Sequence, residues 1–290
     1  MHNNNPFKTG YNFKELVKYN SRLVEYVNLN EFNKETIDFN SNEAIYELNR
    51  SLLLANFSLS KYYLPKGYLI PGVPGRLNYL LHLKGFIHKK FNYSNEQQLR
   101  GLDVGSGANA IYCILGAQHF NWIMVGSEFD LTAIEVSKKN ILSTKNLDKK
   151  INIRRQLNKS FLLKNIIMEN DYFDFTVCNP PFHSSKEEAA KNALLKANNL
   201  KKSENKKAIT PNFSGQANEL WCNGGEQLFI KRLIKESILF KEQVKVFSSL
   251  VSKSNSLIII KQQLKKVNAR FYILPMNQGN KKSRLIFWWF

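Results

Sequence analysis

The stretch "LRGLDVGSGANAIY", residues Leu99–Tyr112, decides how the chain is read. A short apolar run ends at Val104, two glycines follow, and small residues then lead into "ANAIYCILGAQHF", which has the apolar spacing of a buried helix. The order is strand, turn, helix. Within the turn Gly105, Gly107 and Ala110 satisfy G-x-G-x-x-A, where glycine lets the backbone bend sharply and approach a nucleotide without an intervening Cβ. By itself this pattern fits many plain turns and also NAD enzymes. The next segment, "NWIMVGSE", reads as a strand covered on both faces and ends in Glu128, 23 residues past Gly105. An acid there can accept hydrogen bonds from two ribose hydroxyls, and that setting lifts the glycine pattern above chance.

Working outward, short apolar runs alternate with amphipathic stretches, as expected of a parallel sheet with helices on both faces. Asp130 is placed to cap a helix through "LTAIEVSKKNILSTK", with Leu131, Ile134, Ile141 and Leu142 on one face. "INIRRQ" reads as the third strand, a helix is expected near "SFLLKNIIM", and "YFDFTVC" is the fourth strand. "GGEQLFIKRLIKESILF" predicts a helix presenting Ile230, Ile234 and Ile238 together. "VKVFSSLV" is a fifth strand, followed by a helix near "SLIIIKQQLKKVN". "RFYILPM" and "RLIFWWF" then form a closing antiparallel pair across "NQGNKKS". A terminus ending in "FWWF" requires that last strand to lie inside the sheet. Residues 1–95 read differently: helices near "NFKELVKYNSRLVEYV" and "NEAIYELNRSLLLANF", then "YLIPGVPGRLNYLLHL", whose Pro and Gly cluster interrupts regularity. The expected division is therefore a helical region over 1–95 and a nucleotide-binding α/β domain over 96–290.

The chain has 290 residues, 43% of them hydrophobic, enough for a large core. Forty-two Lys and Arg against 23 Asp and Glu give a net charge of +19, which favours a polyanionic partner such as nucleic acid. No apolar run approaches the ~18 residues of a membrane span, and "MHNNNPFKTG" lacks a secretory apolar stretch, so a cytoplasmic protein is expected. Cys113, Cys178 and Cys222 are too scattered for a disulfide framework or a zinc site, and no metal is expected.

"DFTVCNPPFHSS", Asp174–Ser185, separates the candidate ligands. A dinucleotide needs the helix N-terminus for its pyrophosphate, whereas S-adenosylmethionine carries no phosphate, and enzymes that bind it commonly place an acid before the first glycine, as Asp103 is placed. Pro180 and Pro181 end the strand in a stiff, extended loop. An exocyclic ring amine is a poor nucleophile because its lone pair is delocalised. If the Asn179 side-chain oxygen and the Pro180 carbonyl accept its two hydrogens, the lone pair turns towards an incoming methyl group, which is catalysis by positioning at about 3–3.5 Å. Phe182 would stack on a base extruded from its helix. No strong general base is needed, and His183 reads as a cap or surface residue. The lysine-rich stretch over about 184–222, including Lys186, Lys191, Lys196, Lys201, Lys202, Lys206 and Lys207, reads as a mobile loop that contacts RNA phosphates.

The order of "LDVGSGANAIY", "GSEFD" and "CNPPFHSS" resembles class I S-adenosylmethionine-dependent methyltransferases acting on adenine N6. "IDFNSNEAIYELNRSLL", "GYLIPGVPGRLNYL", "ELWCNGGEQLFIKRLIKES" and "MNQGNKKSRLIFWWF" extend the likeness over nearly the whole chain, which resembles the ribosomal RNA large subunit methyltransferase F family. The resemblance implies a Rossmann-like α/β fold, a seven-stranded mostly parallel sheet with an antiparallel last strand, and methylation of one adenine of 23S rRNA, position 1618. That family is similar to the eukaryotic U6 snRNA adenine-N6 methyltransferase; the expected partner is 23S rRNA or a large-subunit assembly intermediate, and the expected state is a monomer. By the same resemblance Arg76, Gly105 and Glu128 contact the cofactor, Asn158 falls near its adenine, and Asn179, Pro180, Pro181 and Phe182 form the target-base motif; Asp103, Gly107 and Asn179 complete the expected cofactor set. Guanine-N2 methylation of rRNA, glutamine methylation of protein, a silent RNA-binding module and an NAD oxidoreductase are the competing readings.

Overall fold

The fold is that of a computed structural model, which describes residues 1–94, 96–181, 224–278 and 281–290. Phe182 and His183, the lysines from Lys186 to Lys207, and Cys222 lie outside the described residues.

The N-terminal region opens with α1 (Phe13–Tyr19) and a 3-10 turn over Ser21–Tyr26. A short hairpin of β1 (Val27–Leu29) and β2 (Glu35–Ile37) precedes α2 (Asn42–Asn56) and α3 (Val73–Phe91). The sheet region runs β3 (Arg100–Val104), α4 (Ile111–Phe120), β4 (Ile123–Glu128), α5 (Leu131–Leu142), β5 (Ile151–Arg155) and β6 (Phe173–Cys178). It closes with α6 (Gly225–Ser237), β7 (Val244–Val251), α7 (Ser256–Lys266), β8 (Arg270–Gln278) and β9 (Lys281–Trp289).

Seven strands form one sheet in the order β5-β4-β3-β6-β7-β9-β8. The pairs from β5 to β7 are parallel, and β9 runs antiparallel to both β7 and β8. This is the Rossmann-like arrangement expected of class I methyltransferases. Strand order reverses beside β3, so the loops after β3, β4 and β6 meet at the carboxyl edge, where open α/β sheets bind ligands.

Alternation along the strands sends side chains into two cores. Met124, Phe175, Val177, Leu285 and Phe287 join α1–α5 on one face, while Leu102, Val104, Cys178, Ile286 and Trp288 join α6 and α7 on the other. The final strand lies inside the sheet, between β7 and β8, as the "FWWF" ending requires: Trp288 is fully buried and its indole N–H donates to Ser237 Oγ at 3.0 Å. Gly101 has a packing cause, since a Cβ there would lie 2.3 Å from the Phe175 ring.

Several sequence expectations need correction. The Pro and Gly cluster before "RLNYLL" starts a helix: Gly72 is its N-cap and Pro74 sits in the first turn, where a missing N–H costs nothing. The resulting α3 lies on the sheet, with Tyr79 Oη 2.9 Å from Ser248 Oγ and the Phe86 ring stacked 4.5 Å from Phe287. N-terminal side chains and the sheet therefore share one core.

No helix forms over Ser160–Met168. The carboxylate of Glu236 takes the amides of Leu162, Leu163 and Lys164 and holds that stretch as turns. Leu131 and Leu142 are exposed ends of α5, whose buried face is Ala133, Ile134, Val136, Ser137 and Ile141. Ile238 is also exposed, because α6 passes into a 3-10 turn there and changes the period. Among the described residues no helix is long and apolar enough to cross a membrane. Nor does any His, Cys, Asp and Glu group among them suit a metal ion.

Candidate active site

A cavity of about 500 Å³ opens at the carboxyl edge of the sheet. Gly105, Ser106, Gly107 and Asn109 form one wall, Ser127, Glu128 and Phe129 the next, and Gln156 with Lys159–Leu162 a third. Asn179 and Pro181 close it from β6, and Arg76 reaches it from α3.

Gly105 and Gly107 both have positive φ, +77° and +63°, the left-handed region that glycine occupies without strain. At Gly105 no atom lies within 4 Å of where a Cβ would stand, so the missing side chain leaves open space against the cavity. Ala110, the third motif position, is also left-handed, at φ +44°, and its short side chain is buried. Glu128 binds this turn directly. Its Oε2 accepts the Gly107 amide at 2.9 Å, and its Oε1 accepts the amides of Phe129 at 2.8 Å and Asp130 at 3.0 Å. Burial pushes the Glu128 carboxyl up, and these backbone amides pull it back.

The same bonds separate the candidate ligands. The amides of Gly105 and Ser106 donate to the Ser127 carbonyl, that of Gly107 to Glu128, and that of Ile111 to Asn109 Oδ1. Donors that would cradle a pyrophosphate are thus engaged within the protein, and a carboxylate stands beside them. A nucleoside ligand without phosphate fits this turn better than a dinucleotide.

Asn179 lies at the end of β6 with Pro180 buried behind it. Its Oδ1 accepts Arg76 Nη1 at 2.9 Å, and the same nitrogen donates to Tyr112 Oη at 3.1 Å. The guanidinium only donates, so the amide atom facing it is the oxygen. Asp103 stands beneath the cavity and does not line it; it is buried, with Cys113 Sγ 3.9 Å away. Burial lifts its carboxyl to about 8, against the opposing pull of Arg76.

The structure brings Arg76, Gly105, Gly107, Glu128, Asn179 and Pro181 together on one cavity. Asn158 is exposed and off the wall: its Oδ1 accepts the Ser160 amide and its carbonyl the Phe161 amide, forming the bend that presents Lys159–Leu162. Sequence reasoning missed Tyr112, Gln156, Phe229 and Arg232, which also line the cavity. Tyr112 stands two residues past the glycine motif and is legible in the sequence only as helix core; Gln156 directly follows β5, its amide donating to the Glu128 carbonyl, a position that could have marked it.

Comparison with known proteins agrees with this geometry. The family model described as RNA methyltransferase matches residues 1–290. A ribosomal RNA large subunit methyltransferase F of Christiangramia forsetii is 42% identical over 290 residues, covering 100% of both chains. Its namesake in Colwellia psychrerythraea is 41% identical, covering 100% of this chain and 99% of that one. The catalytic domain of human METTL16 in complex with a MAT2A 3′UTR hairpin superposes with a TM-score of 0.82 at 27% identity, covering 100% of this chain and 95% of that one. The N-terminal domain of human METTL16 in complex with SAH gives 0.79 at 26% identity, covering 100% and 98%. With its glycine turn, acid and Asn-Pro-Pro strand end arranged around one cavity, the chain belongs to the ribosomal RNA large subunit methyltransferase F family.

Proposed function

We propose that the protein transfers a methyl group from S-adenosylmethionine to the N6 amine of an adenine in 23S rRNA, the equivalent of position 1618, and works as a monomer on free rRNA or on an assembly intermediate. The observation that carries this reading is the Asn179 side-chain oxygen, held at the cavity by Arg76 and facing a glycine turn closed by an acid. The names of the relatives support ribosomal RNA as substrate, and the SAH complex of human METTL16 supports the cofactor.

The residues present fit that cofactor: the space left at Gly105 admits a ligand against the backbone, and the Glu128 carboxylate keeps one lone pair, on Oε2, for a ribose hydroxyl beyond its three amide bonds. Arg76, Gly105, Gly107, Glu128 and Asn179 would hold it, with Asp103 supporting the floor and Asn158 shaping the opposite wall. S-adenosylmethionine supplies an electrophilic methyl group. Asn179 Oδ1 and the Pro180 carbonyl accept the two hydrogens of the adenine amine, which points its lone pair at the cavity. Pro181 and Phe182 flank the extruded base, and the amine proton leaves to solvent after transfer. The lysines Lys186, Lys201, Lys202, Lys206 and Lys207 contact phosphates near the target, with the helical region over 1–95 assisting recognition.

The test is incubation of the purified protein with methyl-labelled S-adenosylmethionine and 23S rRNA, followed by nuclease digestion. Labelled N6-methyladenosine is expected. Labelled N2-methylguanosine, or label on protein glutamine, would overturn the choice of substrate.

A further inference from the structure

We propose that Tyr112 is a positioning residue for methyl transfer, acting through Arg76 on the amide of Asn179; the inference rests on the role assigned to Asn179 above. One turn of α3 grips the end of β6 from two sides. Arg76 holds the Asn179 side chain at 2.9 Å. Tyr79, three residues on and therefore on the same face, has its hydroxyl 2.9 Å from Ser248 Oγ, which donates in turn to the Thr176 carbonyl within β6.

Tyr112 supplies the fixed point of this grip. Its hydroxyl accepts the same Arg76 Nη1 at 3.1 Å, and the guanidinium carbon lies 5.6 Å from its ring centroid. The ring cannot drift: it is buried on α4 and meets the Tyr79 ring edge-on, 5.3 Å away at 79°. A buried tyrosine hydroxyl needs a hydrogen-bond partner, and the partner this one meets is the same nitrogen that orients Asn179.

The consequence concerns which end of the amide the substrate meets. An amide turned by 180° would present its NH2 in place of its oxygen, setting donor against the donor hydrogens of the adenine amine. Arg76 excludes the turned state because it can only donate, and Tyr112 keeps Arg76 in the one place where it does so. Oδ1 retains a second lone pair for the substrate. Tyr112 thereby selects the productive state of Asn179 without touching the reacting atoms.

The experiment is steady-state methylation of 23S rRNA by the full chain carrying Y112F, which removes one oxygen and keeps the ring. We expect kcat to fall about tenfold, the worth of one hydrogen bond, with both KM values within about twofold and the melting temperature lowered by no more than about 4 °C, so that the enzyme stays folded at the assay temperature. A second variant, R76M, removes the intermediary and is assayed at saturating cofactor; adding Y112F to it is expected to cost nothing further. Unchanged turnover in Y112F, a loss seen only as a higher cofactor KM, or full additivity in the double variant would each overturn the inference. Wild-type turnover on RNA is measured first. Its absence would refute the proposed function and this inference together, whereas its presence with an indifferent Y112F refutes this inference alone.

Discussion

Glu128 Oε2 accepts the Gly107 amide at 2.9 Å, joining the end of β4 to the glycine turn after β3. One carboxylate thus shapes the turn and faces the cavity. Replacing it has a double effect, since Glu128→Ala frees three amides and removes the acceptor offered to a ribose. The expected outcome is a fall of about 10–100-fold in affinity for S-adenosylhomocysteine, as for missing charge-assisted hydrogen bonds. Titration calorimetry measures it, and unchanged affinity would remove Glu128 from the binding role.

Much of this turn is legible in the sequence because it depends on local chemistry. Positive φ at Gly105 and Gly107, a cap at Asp130 and an acid at a strand end are properties of single residues or close neighbours. Two-faced strands such as β4, with few polar breaks, and the buried run over residues 285–288 likewise announce themselves by their apolar character. What stays hidden depends on distant partners. The turns over Ser160–Met168 look helical because their apolar residues have helical spacing, and Glu236, more than 70 residues away, decides otherwise. Arg76 stands out only through the family resemblance, since nothing near it in sequence foretells a bond to Asn179 across 103 residues. Asn158 shapes the wall without lining it, since its side chain is taken up by the Ser160 amide.

Asn179→Ala removes the oxygen proposed to hold the adenine amine and leaves the glycine turn and Glu128 in place. We expect turnover to fall by at least about 10²-fold, the scale set by misplacing a reacting group. Affinity for S-adenosylhomocysteine should stay close to that of wild type. Single-turnover methylation beside equilibrium binding checks both, and strong residual transfer would argue against the amine contact.

Substituting the lysines between Lys186 and Lys207 with glutamine should weaken RNA binding and flatten its salt dependence. Every lysine–phosphate pair removed reduces the slope of log affinity against log salt by about 0.7–0.9. Filter binding at several salt concentrations reads this directly, and an unchanged slope would remove the stretch from the RNA interface.

The third cavity wall is held from α6. Arg232 Nη2 donates to the Ser160 carbonyl at 2.9 Å, and Glu236, one turn later, accepts the amides of Leu162, Leu163 and Lys164. Glu236→Ala leaves those amides without their anion and should destabilise the protein by about 2–3 kcal/mol. Because the same segment lines the cavity, cofactor affinity should fall with it. Denaturant melts with and without S-adenosylhomocysteine test the pair of effects; a stable variant with a mobile wall would separate them.

Asp103 gives the protein a pH dependence of defined sign. Burial lifts its carboxyl from an ordinary value of 3.8 to about 8. In the unfolded chain it ionises near its ordinary value, so between these limits the folded state holds the additional proton. Stability from this group is therefore complete below pH ~4 and declines as the pH rises towards 8. Asp103→Asn keeps the shape and cannot ionise. The variant should match or exceed wild type in melting temperature near neutrality, with a difference that widens from about pH 5 to pH 8. Thermal melts of both proteins in one buffer series isolate the effect, because every other titrating group is common to the two. Parallel melting curves across that range would mean that Asp103 is already ionised in the folded protein, with Arg76 as its counter-charge.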